Sequence, residues 1–438
     1  MPPRVVRPGR SHGRARRVAG ECDGVVYHRG VFAINAIHTL AFAGVVLFAG
    51  YAIRRRLRWL ARLNIPAPVI GGLLVSVAMT IGHARGQVPF TFDTTLRDPL
   101  MIAFFTSVGF GASVGLLKRG GPLVVVFLAA SAAFTILQNV LGVGVARLLG
   151  QPPLFGVLAG SVTLAGGPAT GLAFAPLFEQ AGVAGAETIA VAAAMAGIVS
   201  GGLLGGPVGT WLIERRLQRE QRSGGGHEDL VAQHVVESAL PGSAQAPGNE
   251  DREAYALLKA TALLLFAMWV GAGISDWLTA MGVILPRYIG AMLAAIVLRN
   301  LDEFTGWFGI SQAIIDDLGT VALAFFIAIA LMTLKLWQLA GLALPLAVML
   351  VVQVVFVALL APPIIFRLMG RDYDAAVMSS GFIGFMLGTT ANAMANMEAL
   401  SERYGPAPRA FLVVPMVGAF FIDVVNNVVI TTFLNIYR

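Results

Sequence analysis

Leu164-Ala165-Gly166-Gly167-Pro168-Ala169-Thr170-Gly171 cannot form a regular helix, because three glycines and a proline each weaken or break helical backbone. The stretch lies between the apolar arms Leu154–Val162 and Leu172–Phe178, each too short to cross a bilayer. In hydrocarbon an unpaired backbone group is costly, so irregular backbone is tolerated only where protein or a polar cavity surrounds it. The pattern predicts a hairpin that enters the membrane and returns. Phe385-Met386-Leu387-Gly388-Thr389-Thr390-Ala391-Asn392-Ala393-Met394-Ala395-Asn396 repeats it in the second half of the chain. Two such tips can meet near the midplane. There, half-helix N-termini attract an anionic group, while freed carbonyls and Thr or Asn oxygens coordinate a cation. Glycines can instead serve helix packing alone, and that reading suits Gly201-Gly202-Leu203-Leu204-Gly205-Gly206. At the two broken segments polar side chains accompany the glycines in both halves, which points to binding.

The surroundings of these segments are membrane. Of 438 residues, 57% are hydrophobic and only 13% are charged, against about a quarter in a soluble domain. Runs such as Val31–Ile53, Gly121–Leu137, Thr188–Ile213 and Leu339–Ile365 carry almost no charge, and about 20 apolar residues suffice to span the hydrocarbon. Spans are expected near 31–53, 66–83, 98–117, 121–149 and 186–213, then near 255–280, 284–299, 317–337, 339–369 and 408–436. The fold class is therefore an all-α polytopic membrane protein. The formal charge of +7 does not indicate nucleic acid, because the basic residues cluster in short loops between apolar runs, as topology signals do. Cys22 is the only cysteine, so no intrachain disulfide forms, and the six histidines show no ligand spacing. Motifs for a hydrolase nucleophile, a zinc protease or a phosphate loop are absent, so a transporter is expected rather than an enzyme. A channel or a passive scaffold would not need two broken hairpins in a duplicated frame.

The halves resemble each other at an offset near 220. Ala103-Phe104-Phe105 answers Ala324-Phe325-Phe326, and Arg147-Leu148-Leu149-Gly150 answers Arg367-Leu368-Met369-Gly370. Gly166-Gly167 falls opposite Leu387-Gly388, and Gln138 and Gln353 occupy the same span of each half. Matches in the same order favour an internal duplication. With five crossings per half and the first span starting outside, the inside loops hold Arg54, Arg55, Arg56, Arg58, Arg62, Lys118, Arg119, Arg215, Arg216, Arg219, Arg222 and Arg252. Arg299, Arg367, Arg371, Arg403 and Arg409 also fall inside, while only Arg85, Arg97, Arg147, Arg287 and Lys335 fall outside. An odd number of crossings makes the two repeats, 31–213 and 255–438, inverted relative to each other. Residues 214–254 are polar and read as a flexible cytoplasmic linker. The Arg-rich residues 1–30 would then lie outside, against the charge rule. No methionine occurs between Met1 and Met79, and translation from a valine codon such as that of Val31 would remove the conflict. Intact mass of protein from the native organism tests this, and a product carrying Met1 would exclude it.

Among ionisable residues Asp423 stands out, mid-span in Phe420-Phe421-Ile422-Asp423-Val424-Val425-Asn426-Asn427 with Asn426 one turn away. A carboxylate in the membrane is paired or functional by default, which suggests cation coupling or gating, with a structural hydrogen bond as the alternative. Gln138, Asn139 and Gln353 are polar residues within spans that interhelical hydrogen bonding also explains. His38 and Asp276 read as interfacial, and Arg97, Asp98, Asp316 and Asp317 fall at span ends.

Arg97-Asp98-Pro99-Leu100-Met101-Ile102-Ala103-Phe104-Phe105, Lys335-Leu336-Trp337, Tyr373-Asp374-Ala375-Ala376-Val377 and Phe411–Asp423 resemble the bacterial sodium/glutamate symporter family, as does Ile65–Gly72. The resemblance is colinear over residues 31–438. It implies two inverted repeats of five transmembrane helices, each with a re-entrant hairpin, in a homodimer of the bacterial inner membrane. It also implies sodium as the coupling ion, no organic cofactor, uptake of glutamate, and an elevator-like movement. The family's first hairpin typically reads Gly-Gly-His-Gly-Thr, where this chain has Gly166-Gly167-Pro168-Ala169-Thr170. Its second typically reads Gly-Ala-Thr-Pro-Thr-Ala-Ile-Ala-Asn, where this chain has Gly388-Thr389-Thr390-Ala391-Asn392-Ala393-Met394-Ala395-Asn396.

The expected substrate contacts are Gly166, Gly167, Thr170, Gly388, Thr389, Thr390 and Asn392. Asp423, Asn426, Asn396 and Asn139 are expected to hold sodium or link it to closure. A monoanion entering alone moves against the membrane potential, at about 2.3 kcal/mol per charge per 100 mV, and two or more cotransported cations reverse that sign. Proton-coupled transport of a dicarboxylate is the runner-up.

Overall fold

The computed structural model describes residues 25–28, 31–86, 90–223, 250–281, 285–339 and 341–437. The rest of the basic stretch 1–30, and residues 224–249 of the expected linker, lie outside the described residues. Helices dominate, as a chain with few charges in hydrocarbon requires, since a helix satisfies its backbone internally. In the first half they are α1 (Ala36–Arg56), α2 (Arg58–Arg62), α3 (Ala67–Ala84), α4 (Arg97–Gly111), α5 (Val114–Arg119), α6 (Gly121–Leu148), α7 (Pro153–Val157), α8 (Gly167–Gln180) and α9 (Ala186–Ser223). The second half contributes α10 (Glu250–Ala280), α11 (Arg287–Thr305), α12 (Gln312–Met332), α13 (Ala343–Leu368), α14 (Tyr373–Leu387), α15 (Thr390–Tyr404), α16 (Pro408–Met416) and α17 (Ile422–Tyr437). Among the described residues, seven of these helices are long and apolar enough to cross a membrane.

Several boundaries differ from the sequence expectation, each for a local reason. The first span starts at Ala36, where the Asn35 side chain accepts from the His38 N–H at 2.9 Å and caps α1. Before it, Val31–Ile34 forms strand β2, between β1 (Val25–His28, antiparallel) and β3 (Phe90–Phe92, parallel), a small sheet that an all-α reading omits. The span near 98–117 divides into α4 and α5, because the Ser113 hydroxyl accepts from the Leu116 N–H at 2.9 Å and starts a new helix. The last span is interrupted by a π-turn, Val417–Phe421, just after Pro415. The helices α9 and α10 continue into the expected linker, as far as Ser223 and from Glu250.

The helices sort into two groups. The helices α1, α3, α4, α10, α11 and α12 pack mainly on one another, and α6 to α9 pack mainly with α13 to α17. The pairings mirror between halves: α1 packs on α3 as α10 does on α11, and α6 on α7 as α13 does on α14. Small residues set these crossings. A Cβ at Gly50 or Gly71 would collide with backbone of the facing helix, α3 or α1, and Gly271 and Gly290 do the same for α10 and α11. Pro66 and Pro286, 220 residues apart, each precede the first turn of the second helix of their pair. The seam between the groups is largely apolar: the Tyr288 ring of α11 packs on Phe105 of α4 at 4.7 Å and on Phe174 of α8 at 5.5 Å.

Candidate functional site

Each broken segment is a helix, a break and a second helix. In the first, α7 continues as a π-turn over Leu158–Val162, bent at Gly160, and α8 begins at Gly167. Gly167 has φ +67°, a left-handed conformation that side chains with a Cβ rarely adopt. In the second, α14 ends at Leu387 and α15 begins at Thr390. The two breaks face each other: a Cβ built on Gly167 would lie 3.6 Å from Thr389 Cγ2 and 3.9 Å from the Gly388 carbonyl oxygen. Neither α8 nor α15 has a side-chain hydrogen bond capping its N-terminus, so the positive ends of both helices meet at one place without a capping side chain. The tips are not sealed, since Gly166, Thr389 and Thr390 are partly exposed and Ala391 is exposed. Thr390 donates to the Gly418 carbonyl at 2.7 Å, tying the second tip to the π-turn of the last span. Gly418 permits that approach, because a Cβ there would sit 2.9 Å from Thr390 Oγ1.

Beside the tips lies a buried polar cluster. Gln353 Nε2 donates to the Gln138 carbonyl at 2.8 Å, and Gln138 Nε2 donates to the Met386 carbonyl at 3.2 Å. Asn139 Oδ1 accepts from the Ser161 N–H at 3.0 Å, and Asn426 Nδ2 donates to the Ser161 carbonyl at 3.1 Å. The bend at Gly160 keeps these elements close: a Cβ there would lie 3.0 Å from Asn139 Oδ1 and 3.4 Å from Gln353 Nε2. Four oxygens of the cluster, Gln138 Oε1, Ser161 Oγ, Gln353 Oε1 and Asn426 Oδ1, are buried without a hydrogen-bond partner. Each such group costs about 1–3 kcal/mol when left unpaired. Neutral amide and hydroxyl oxygens are hard donors of the kind a cation such as sodium takes, and one amide donor of the cluster, Asn139 Nδ2, is also buried without a partner. Among the described residues there is no group of three or more His, Cys, Asp or Glu side chains that could hold a metal.

The expected sodium residues divide. Asn139 and Asn426 belong to this cluster. Asn396 does not: its Nδ2 donates to the Gly201 carbonyl at 3.0 Å, and it packs beside Gly205 on α9. Asn392 also reaches α9, donating to the Ile198 carbonyl, while its Oδ1 accepts from the Thr389 hydroxyl at 3.4 Å, so it ties the second tip to α9. Asp423 is partly buried in the first turn of α17 and has no hydrogen-bond or ion-pair partner among the described residues. Thr170 is buried in the first turn of α8 against Gly166. The span-end charges pair as ordinary ones do: Arg97 with Glu187 at 2.5 Å, and Arg287 with Asp276 at 3.0 Å.

The family model described as Sodium/glutamate symporter matches residues 32–406. The chain is 39% identical to the sodium/glutamate symporter of Escherichia coli K12 over 412 residues, covering 92% of this chain and 98% of that protein. It is 39% identical to that of Haemophilus influenzae over 396 residues, covering 90% and 96%. The chain belongs to the sodium/glutamate symporter family. It is a transporter and not an enzyme, a multi-pass protein of the bacterial inner membrane.

Family membership gives the departures at the tip a structural meaning. Pro168 stands at the start of α8, where a missing N–H costs the helix nothing and a fixed φ suits the first turn. It also removes one donor from the tip. Gln138, Ser161, Gln353 and Gly418 lie in the polar cluster or against the second tip, and the candidate set from sequence omits them. For the two glutamines the signal was their matched placement in the two halves, and for Gly418 it was Pro415 three residues earlier. Ser161 carried none, since a serine in an apolar arm is ordinary.

Proposed function

We propose that this symporter couples inward sodium movement to uptake of L-glutamate or a closely related anionic amino acid. The observation that carries the proposal is the meeting of the two tips at Gly167 and Thr389, next to four unpaired buried oxygens. The uncapped N-termini of α8 and α15 supply positive ends and N–H groups for a carboxylate of the substrate. Gly166, Gly167, Thr170, Gly388, Thr389 and Thr390 line that place. Sodium is held by Gln138, Asn139, Ser161, Gln353 and Asn426, and Asp423 lies one turn from Asn426 where a cation entering would pass.

The two halves are read as inverted repeats, and each broken segment as a re-entrant hairpin. In support, residues matched between the halves touch each other, Gln138 with Gln353 and Gly167 with Gly388, as residues near a two-fold axis do. The mirrored helix pairings have the same cause. The two groups of helices serve as a scaffold and a moving body, sliding along the apolar seam at Tyr288 in an elevator-like step, in a homodimer. Uptake of labelled L-glutamate into proteoliposomes, with an inward sodium gradient against a choline control, tests the proposal. Accumulation above equilibrium with sodium alone is the expected result. Uptake that no cation gradient concentrates would reject coupling, and sodium-driven uptake of another carboxylate but not glutamate would reassign the substrate, as Pro168 in place of histidine allows.

A further inference from the structure

A cleft of about 640 Å³ opens between the two helix groups, lined by Leu60, Ile65, Ile70 and Val77 on one side and Met195 and Val199 on the other. That is within the range of about 300–1,000 Å³ usual for small-ligand sites. Ile70, Leu73, Leu74 and Val77 form one face of α3, and Met195, Ala196, Val199 and Ser200 one face of α9. The lining is apolar throughout, since its one hydroxyl, Ser200, is satisfied by the Ala196 carbonyl at 2.7 Å. One end of the cleft is bounded by α2, just after the charged end of α1. There α2 carries Leu60 into the cleft while Trp59 is 56% exposed, as an interfacial aromatic is. Immediately before α2, α1 ends in Arg54-Arg55-Arg56, on the face that the positive-inside count assigns to the cytoplasm. None of the three is ion-paired among the described residues; Arg55 and Arg56 are exposed, while Arg54 is partly buried with its Nε buried and without a hydrogen-bond partner. A topology signal or a helix-end charge explains why arginines stand here, six or fewer residues before the lining residue Leu60, but not a buried guanidinium donor left unpaired.

We propose that this cleft binds an anionic phospholipid of the inner leaflet, one acyl chain lying between α3 and α9 and the phosphate held by Arg54, Arg55 and Arg56. The apolar walls match the chain, the arginines match the phosphate, and Trp59 sets the depth at which the two meet. The lipid contacts both helix groups at once. The site is independent of the substrate and sodium assignments.

Native mass spectrometry of the full chain, delipidated and then titrated with phosphatidylglycerol or phosphatidylcholine of the same acyl chains, tests it. Tighter retention of one phosphatidylglycerol is expected, and equal retention of the two lipids would overturn the proposal. The combined variant R54Q/R55Q/R56Q should weaken that retention by about ten- to a hundredfold, three arginines each contributing modestly to anionic-lipid attraction. An unchanged preference in the variant would place the lipid elsewhere. Ala196→Phe, which fills the cleft and leaves the arginines, should weaken retention of phosphatidylglycerol as well. Displacement of the lipid by millimolar inorganic phosphate or glycerophosphate would show an anion site without a chain site, and would also overturn it.

Discussion

Gln353 is a glutamine in a span, and its environment gives it more to do than hold two helices together. Its Nε2 makes the interhelical bond to the Gln138 carbonyl, but its Oε1 is buried and unpaired. Replacing it with leucine removes an orphaned oxygen, so the apo protein should lose little stability while a cation loses a ligand. Sodium should raise the melting temperature of wild type and leave Gln353→Leu nearly unmoved, because a ligand stabilises only the state it binds. An equal sodium-induced shift in both would remove Gln353 from the cation site. Asp423→Asn keeps the shape of the first turn of α17 and removes a charge that no side chain compensates among the described residues. Sodium stimulation of uptake should be abolished with the protein still monodisperse, and wild-type sodium dependence would refute the assignment. Thr390→Ala removes the bond to the Gly418 carbonyl and should raise the apparent substrate constant about three- to tenfold, the effect of one ordinary hydrogen bond. An unchanged constant would take Thr390 out of the site.

At the scale of elements, α9 shows how a glycine-rich helix can be read. Gly197, Gly201, Gly205 and Gly209 recur every fourth residue and face the second hairpin, the first two against α14 and the last two against both arms. Sequence favours packing for Gly201-Gly202-Leu203-Leu204-Gly205-Gly206, and within that run Gly201 and Gly205 pack closely on the second hairpin while Gly206 does not. Asn396 and Asn392 make the same contact from the other side, where the open backbone of α9 offers carbonyls. A Cβ at Gly205 would collide with Asn396, whereas one at Gly206 meets nothing within 4 Å. Gly205→Leu should therefore destabilise the protein by about 1–3 kcal/mol, the cost of overpacking. Gly206→Leu should leave the detergent melting temperature close to wild type. Equal melting of the two variants would show that the stripe does not set the approach of α9 to the hairpin.

The whole molecule is two groups of helices meeting along an apolar seam, with the ion pair Arg97–Glu187 bridging α4 to α9 and Arg97 also reaching the Leu172 carbonyl of α8 at 3.2 Å. At this scale the testable quantity is net charge moved. If two or more sodium ions accompany one glutamate monoanion, an inside-negative potential should accelerate sodium-driven uptake, by a driving force of about 2.3 kcal/mol per net charge per 100 mV. Uptake indifferent to a potassium–valinomycin potential would indicate one sodium per substrate.

What sequence determined by itself follows from properties that are local. A run of apolar residues long enough for hydrocarbon declares a span, and glycines with a proline inside one declare a break, whatever else the chain does. The helical class and the break between α7 and α8 were legible for that reason, as were Gly201 and Gly205 of α9 as packing residues. Tertiary structure alone decided which polar residues converge. Gln138, Ser161, Gln353 and Asn426 come from four separate stretches of chain, and their meeting depends on crossings set by close backbone approaches such as Gly142 against Gly156. The same crossings bring Asn392 and Asn396 to α9, where the Ile198 and Gly201 carbonyls accept from them. A side chain's chemistry is written in its own position, but its partner is chosen by the packing of helices far apart in sequence.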